Sequence, residues 1–219
     1  MVESACTVAA TSRTRVRRKP ERACYDRKTI FAILDEALFV SVAAVIEGQA
    51  HVQPMIHARV GEELILHGHA NNRLLELMAG GAPACLNATL VDGLVLARRI
   101  EDHSFHYRSV TLFARASEVA IAADKQRLMQ AVFESLVRSA RYDALPELEE
   151  AYLATTRVLR LPIVEAVAKV NANRPGPDGP PGIWSGILPM RLTAGIPEPD
   201  ERSVAEGLTP GPSISHYSR

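Results

Sequence analysis

Residues 64–78 read LILHGHANNRLLELM. An apolar run passes through His67, Gly68 and His69 into a helical pattern with Arg73 near its start. At such a strand-to-helix junction the first helical N–H groups lack partners and the helix dipole is positive. An arginine in that first turn completes an anion site suited to a phosphate. Asn72 stands beside it, and Gly68 lets a ligand approach the strand backbone. The plain alternative is a capped helix with Arg73 in a surface salt bridge.

A second chemistry-bearing stretch is HSFHYRSV, residues 103–110. His106, Arg108 and Ser109 interrupt the entry to an apolar strand, as residues bordering a ligand do; an exposed strand start is the alternative. The histidines invite a metal reading, because His67 and His69 on one strand point the same way. No HExxH helix, paired cysteines or acidic cluster accompanies them, so no metal site is expected. A GxSxG elbow is also missing, which leaves a serine hydrolase unsupported. His57 and His67 are the candidate proton-transfer groups, each read first as a binding or packing residue, and no catalytic residue is assigned.

The elements around these residues are legible from periodicity. YDRKTIFAILDEAL reads as a helix capped by Asp26, with Ile30, Ile33, Leu34, Ala37 and Leu38 as its stripe. Three strand-like runs follow from Phe39 to Gly68, broken at the hairpin turns Glu47-Gly48 and Gly61-Glu62. Pro54 inside the second run requires a free edge or a bulge there. NNRLLELMAGG is a short helix ending on Gly80 and Gly81. PACLNATLVDGLVLARR reads as a strand, an Asp92-Gly93 turn and another strand. HYRSVTLFARASEVA is a long alternating strand. ADKQRLMQAVFESLVRSA is an amphipathic helix with Leu128, Val132, Leu136 and Val137 inward. RVLRLPIVEAVAKV is a strand, NRPGPDGPPG a linker, and IWSGILPMRLTAG returns to strand. Meandering strands with few helices point to a small β-barrel decorated by helices, mainly β with α.

The domain organisation expected is a disordered basic arm over 1–24, one domain over 25–198 and a loose tail over 199–219. The arm holds Arg13, Arg15, Arg17, Arg18, Lys19 and Arg22. It reads as a solvated segment; the alternatives are a nucleic-acid contact, which no aromatic interleaving supports, and an arm that wraps a partner subunit. The chain of 219 residues balances 25 basic against 25 acidic side chains, which argues against a general nucleic-acid or membrane-surface role. No apolar run is long enough to span a bilayer, and no secretory core opens the chain. Cys6, Cys24 and Cys85 form no CxxC pair; Cys85 is expected as a buried structural thiol, and a reducing cytoplasm is the simplest compartment.

LHGHANNR, followed some way on by HYRSVTLFARA, resembles the flavin-nucleotide-binding proteins related to pyridoxamine 5′-phosphate oxidase. The similarity is to the branch that includes nitroimidazole-resistance proteins, and it runs from RTRVRRKPERACYDR to WSGILPMRLTAG. It implies a six-stranded antiparallel split β-barrel with peripheral helices, a homodimer, and FMN as cofactor. It further implies that Pro54, Met55, Ile56 and His57 line the flavin ring. His67 and Gly68 lie near the phosphate and ribityl chain, and Arg73 with Asn72 holds the phosphate. Arg108 and Ser109 contact the cofactor from the YRS strand entry, and Trp184 reaches the flavin from late in the chain. WSGILPMRLTAG supplies Arg191 but lacks the arginine-and-histidine pattern that reads pyridoxal, so turnover of pyridoxamine phosphate is not implied.

The resulting expectation is an FMN-dependent oxidoreductase passing electrons from a nicotinamide donor to a small oxidised acceptor. Two alternatives stand beside it. One is a non-enzymatic flavin-binding or storage protein. The other is a deazaflavin- or haem-binding member of the same fold, with His67 or His69 as iron ligand.

Overall fold

The computed structural model describes residues 7–137, 145–215 and 217. Among the described residues, ten strand segments and six α-helices follow one another. They are β1 (Ala23–Cys24), α1 (Arg27–Glu36), β2 (Phe39–Ile46), β3 (Gln49–Val60), β4 (Glu63–His69), α2 (Arg73–Ala79) and β5 (Pro83–Leu96). After these come β6 (Ser104–Arg115), β7 (Ser117–Glu118), α3 (Ala122–Val137), α4 (Glu150–Ala154), β8 (Thr156–Pro162) and β9 (Ala166–Asn171). The chain ends with β10 (Gly186–Pro189), α5 (Glu201–Ala205) and α6 (Pro212–Ser215).

The pairing is antiparallel throughout, in the order β1-β9-β6-β5-β2-β3-β4-β8-β7, with β10 added to β5. Ala116 alone separates β6 from β7, and Ile163–Glu165 alone separate β8 from β9. Because β6 pairs β9 while β7 pairs β8, the sheet curls back on itself. Ten segments therefore trace six strand runs around a split barrel, with β1 and β10 as additions. Closure removes the long exposed edges that an open sheet would leave.

Local chemistry explains the elements. Asp26 caps α1, its carboxylate accepting from Thr29 N at 2.8 Å. Ile30, Ile33 and Leu34 of α1 are buried against the barrel. In β4 the period of two splits the side chains between two cores. Leu64 and Leu66 join the main cluster with α1 and α2, while Ile65 joins Leu128, Met129 and Val132 of α3. Each such side chain contributes roughly 1.5–3 kcal/mol on burial. Pro54 pairs with Ser41 on one side, and β3 meets β4 only from His57 onward, so its other edge is free as expected.

Several expectations need correcting. Asp92-Gly93 is not a turn: β5 runs straight through with a bulge between Val91 and Gly93. RVLRLPIVEAVAKV is two strands, bent at Ile163–Glu165 so that it serves both sides of the split. Met129 is buried in α3, whereas Leu136 and Val137 are half-buried. Residues 7–24 lie on the barrel instead of being disordered. Val8 is buried, Arg13 and Thr11 bond Glu165, Tyr25 Oη donates to Thr14 O, and β1 pairs β9. Cys85 is half-buried, and burial pushes its thiol up while the charge of Arg13 pulls the other way. Cys6 lies outside the described residues.

Candidate functional site

The β2–β3 hairpin and the start of α2 enclose a cavity of about 210 Å³. Its polar wall is His51, Gln53, Asn72 and Arg73, and its apolar wall is Ile46, Val52 and Leu74. The register explains the arrangement. His51 and Gln53 are two residues apart on β3 and so share a face, and Gln53 Oε1 accepts from Asn72 Nδ2 at 3.2 Å. Arg73 is 57% exposed, with Nη2 2.7 Å from Glu47 Oε1.

The junction differs in one respect from the anion site read in the sequence. The Asn72 carboxamide oxygen already accepts from Leu74 N and Leu75 N, at 3.0 and 3.1 Å. The cap therefore takes two of the N–H groups expected to face a phosphate. The guanidinium of Arg73 is left as the main anion-binding group, with His51 on the same polar wall. Gly68 also has a packing reason. A Cβ there would sit 2.7 Å from Leu75 Cδ1, so the missing side chain admits α2 rather than opening a path to the backbone.

His67 lies on the face of Ile65, toward α3. Its ring meets Phe133 edge-on, 5.8 Å between centroids at 71°. Nδ1 is sealed from solvent and has no hydrogen-bond partner among the described residues. Burial pushes the imidazole below its usual range, so it stands neutral at neutral pH. His69 is exposed and differently engaged, since its Nδ1 accepts from Asn71 N at 3.1 Å. That bond places the proton of the neutral ring on Nε2.

The remaining candidates fall in other places. His57 is buried, with Nε2 donating to Leu34 O at 2.8 Å and its carbonyl accepting from Ser135 Oγ at 2.8 Å. It ties α1 and α3 to β3 and is a packing residue. Met55 is buried, while Pro54 and Ile56 are exposed on the opposite face. Arg108 lies between two carboxylates, with Nε and Nη2 on Asp92 and Nη1 and Nη2 on Glu36, at 2.5–2.9 Å. Bonds to Asp92 and then Glu36 raise its pKa further above the ordinary arginine value. Ser109 Oγ donates to Lys169 O. Trp184 is 67% exposed, its ring lying over Gly186. None of these lines the Arg73 cavity. His51, Gln53 and Glu47 were missed in the sequence, because only the hairpin register brings them to Arg73.

Arg108 now has a structural assignment that can be measured. Arg108→Ala removes the guanidinium that Glu36 and Asp92 share. The site is about one-third exposed, which puts the cost below that of a fully buried pair. Urea titration should show a loss of about 1–3 kcal/mol. A variant as stable as wild type would remove this assignment.

Sequence and structure together define a split-barrel protein with a polar pocket beside a short helix. The model of the family described as pyridoxamine 5′-phosphate oxidase matches residues 26–170, and the chain belongs to that family. A comparison with curated proteins finds no match. Among solved structures the chain is similar to the flavocytochrome Anf3 from Azotobacter vinelandii. Identity is 29% over 96% of this chain and 99% of that one, with a TM-score of 0.87. It is also similar to the FAD and haem binding protein from Mycobacterium smegmatis. There identity is 30% over 88% and 95% of the two chains, with a TM-score of 0.81. A candidate 5-nitroimidazole antibiotic resistance protein from Bacteroides thetaiotaomicron shares the fold, at 15% identity, TM-score 0.56, and 77% and 90% coverage. Among the described residues, no helix is long and apolar enough to cross a membrane, and no group of three or more His, Cys, Asp or Glu is placed to hold a metal ion.

Proposed function

We propose that this chain is an electron-transfer protein that binds a flavin nucleotide and a haem. The observation that carries the reading is His67, a half-buried imidazole pushed toward its neutral form by burial, whose sealed Nδ1 has no hydrogen-bond partner among the described residues. Neutral imidazole is the form that ligates iron. His69 suits the role less, because its hydrogen bond puts the proton on the exposed Nε2. Support comes from two relatives with near-complete coverage, one a flavocytochrome and the other an FAD and haem binding protein.

The flavin phosphate is assigned to the Arg73 pocket. Arg73 supplies the charge, Asn72 fixes the helix start, and Gln53 steadies Asn72. Pro54 and Ile56 lie on the β3 face opposite Gln53, so any apolar surface they offer the ring is on the other side of the strand from this pocket. When bound, the flavin supplies two-electron and one-electron redox chemistry, and haem supplies one-electron chemistry. The protein residues position these groups and exclude water from one side. No proton-transfer residue is assigned, and the electron donor and acceptor are taken to be small molecules.

FMN is the second reading. It is favoured by the single phosphate-sized anchor, Arg73, in a cavity of about 210 Å³. The absorbance spectrum of the purified protein tests haem, and the mass of the released flavin separates FAD from FMN. Flavin bands without a haem Soret band would overturn the haem assignment, and a protein without either chromophore would overturn the whole reading.

A homodimer is part of the proposal. Phe39, Val45 and Val52 are exposed by 54–67% on one face of the β2–β3 hairpin, an apolar patch that a second copy would cover. Light scattering on the same sample should give twice the 23.9 kDa chain mass. A single monomeric species with flavin bound would count against it.

A further inference from the structure

We propose that the apolar wall around His67, with Phe133 beside the ring, withholds an acceptor from Nδ1 and so raises the reduction potential of the haem iron. The inference rests on the reading of His67 as the iron ligand. It assigns what that reading leaves open, the neighbour that sets how strongly the ring donates to the metal.

The first point is which nitrogen iron can reach. His67 Nδ1 is sealed from solvent, so Nε2 is left as the coordinating atom. A neutral imidazole bound through Nε2 carries its proton on Nδ1. That N–H is then a buried donor, and nothing among the described residues accepts from it. Histidines that ligate metals almost always give this proton to a carboxylate, a backbone carbonyl or a water. Such a bond makes the ring more basic, which favours the more highly charged ferric iron.

The fold explains why His67 lacks an acceptor. The period of two along β4 puts His67 on the face of Ile65, and the register sets Val158 of β8 opposite it. Ile65 and Val158 belong to the cluster of Ala58, Leu128, Met129 and Val132, with Phe133 packed against it. None of these side chains carries an oxygen or a nitrogen. The ring that meets His67 is Phe133, 5.8 Å between centroids at 71°. Two hydroxyls on the flanking elements are turned toward backbone carbonyls. Ser135 Oγ donates to His57 O and Val132 O, and Thr156 Oγ1 donates to Tyr152 O, each at 2.8 Å. With its N–H unbonded, His67 is a weak donor, and the ferrous state gains relative to the ferric one. Phe133 is a positioning residue, since it touches the ligand and not the iron.

The test uses full-length, haem-loaded protein and a redox titration followed by the haem absorbance. Phe133→Gln places a carbonyl oxygen beside the ring, and Phe133→Asn does so with a shorter side chain. Phe133→Leu removes the aromatic ring and adds no acceptor. Phe133 is half-buried, so the fold should accept all three. Phe133→Gln should shift the equilibrium toward ferric haem by about tenfold, the lower end of what such hydrogen bonds contribute to metal binding. For one electron that is a fall of about 59 mV. Phe133→Asn should move the potential the same way, and Phe133→Leu should leave it where it is. The iron–histidine stretch of the ferrous haem, read by resonance Raman, should rise with glutamine and not with leucine. A potential unmoved by both glutamine and asparagine would overturn the inference. So would an equal fall in Phe133→Leu, which would mean that opening the wall matters and the acceptor does not. The ligand and its tuning fail separately. If His67→Ala keeps its haem, the ligand assignment is lost and the tuning with it. If His67→Ala loses haem while glutamine and asparagine leave the potential alone, only the tuning is lost.

Discussion

His67→Ala is expected to purify without haem while retaining its flavin. The substitution removes a half-buried imidazole whose sealed Nδ1 has no hydrogen-bond partner among the described residues. The fold should survive. Losing the edge contact with Phe133 costs about 0.5–1.5 kcal/mol beyond lost area, a fraction of a domain's stability. His69→Ala is the matched control and should keep haem. The reverse pattern would move iron ligation to His69, and haem retained in both variants would place the ligand elsewhere. Acid supplies a second readout. Burial lowers the folded-state pKa of His67, so below about 6.5 the unfolded chain binds a proton that the folded haem-free chain resists. The stability from the neutral ring is thus present above the unfolded pKa and is lost as pH falls below it. Haem-free wild type should lose more stability than haem-free His67→Ala between about pH 7 and 5, measured by urea titration.

Much of the barrel was legible because it is written in local patterns. The alternation in β2, the Asp26 cap and the free edge demanded by Pro54 each follow from a few neighbouring residues. The errors arose where a local signal was overruled from a distance. Asp92-Gly93 carries the composition of a hairpin turn, yet β6 and β10 flank β5 on both sides and hold it extended through a bulge. The 1–24 segment has the composition of a solvated arm. Its few useful groups, Val8, Thr11 and Arg13, find burial or Glu165 only once β8 and β9 are in place. The site divides in the same way. Arg73 and Asn72 could be read because a helix start is a local feature. Glu47, His51 and Gln53 are brought to them by pairing across the hairpin and by α2 packing on the barrel. Gly68 was legible as a special position but its reason was not, because Leu75 is what fills the space.

Arg73→Ala is expected to weaken binding of FMN and FAD by about tenfold and to leave riboflavin nearly unchanged. Charge-assisted hydrogen bonds to a phosphate are worth about 1.5–3 kcal/mol, and about 1.4 kcal/mol is a factor of ten. Two features of the structure place the effect at the lower end. Arg73 is 57% exposed, so water screens its charge, and it must first leave Glu47. Folding should be untouched, since an exposed ion pair is worth about 0–1 kcal/mol and the Asn72 cap remains. The salt dependence of FMN binding should flatten as well, because the screened contact is gone. The diagnostic quantity is the ratio of FMN to riboflavin affinity, which cancels any general loosening of the site. A fall in both affinities together would mean that Arg73 shapes the pocket and does not read the phosphate. Arg108 could not then inherit the role, because its guanidinium is already spent on Glu36 and Asp92. His51 would be next in line, as the other side chain on that wall able to carry positive charge. A His51→Ala titration would follow, with FMN affinity falling selectively only if the phosphate sits at that end of the cavity.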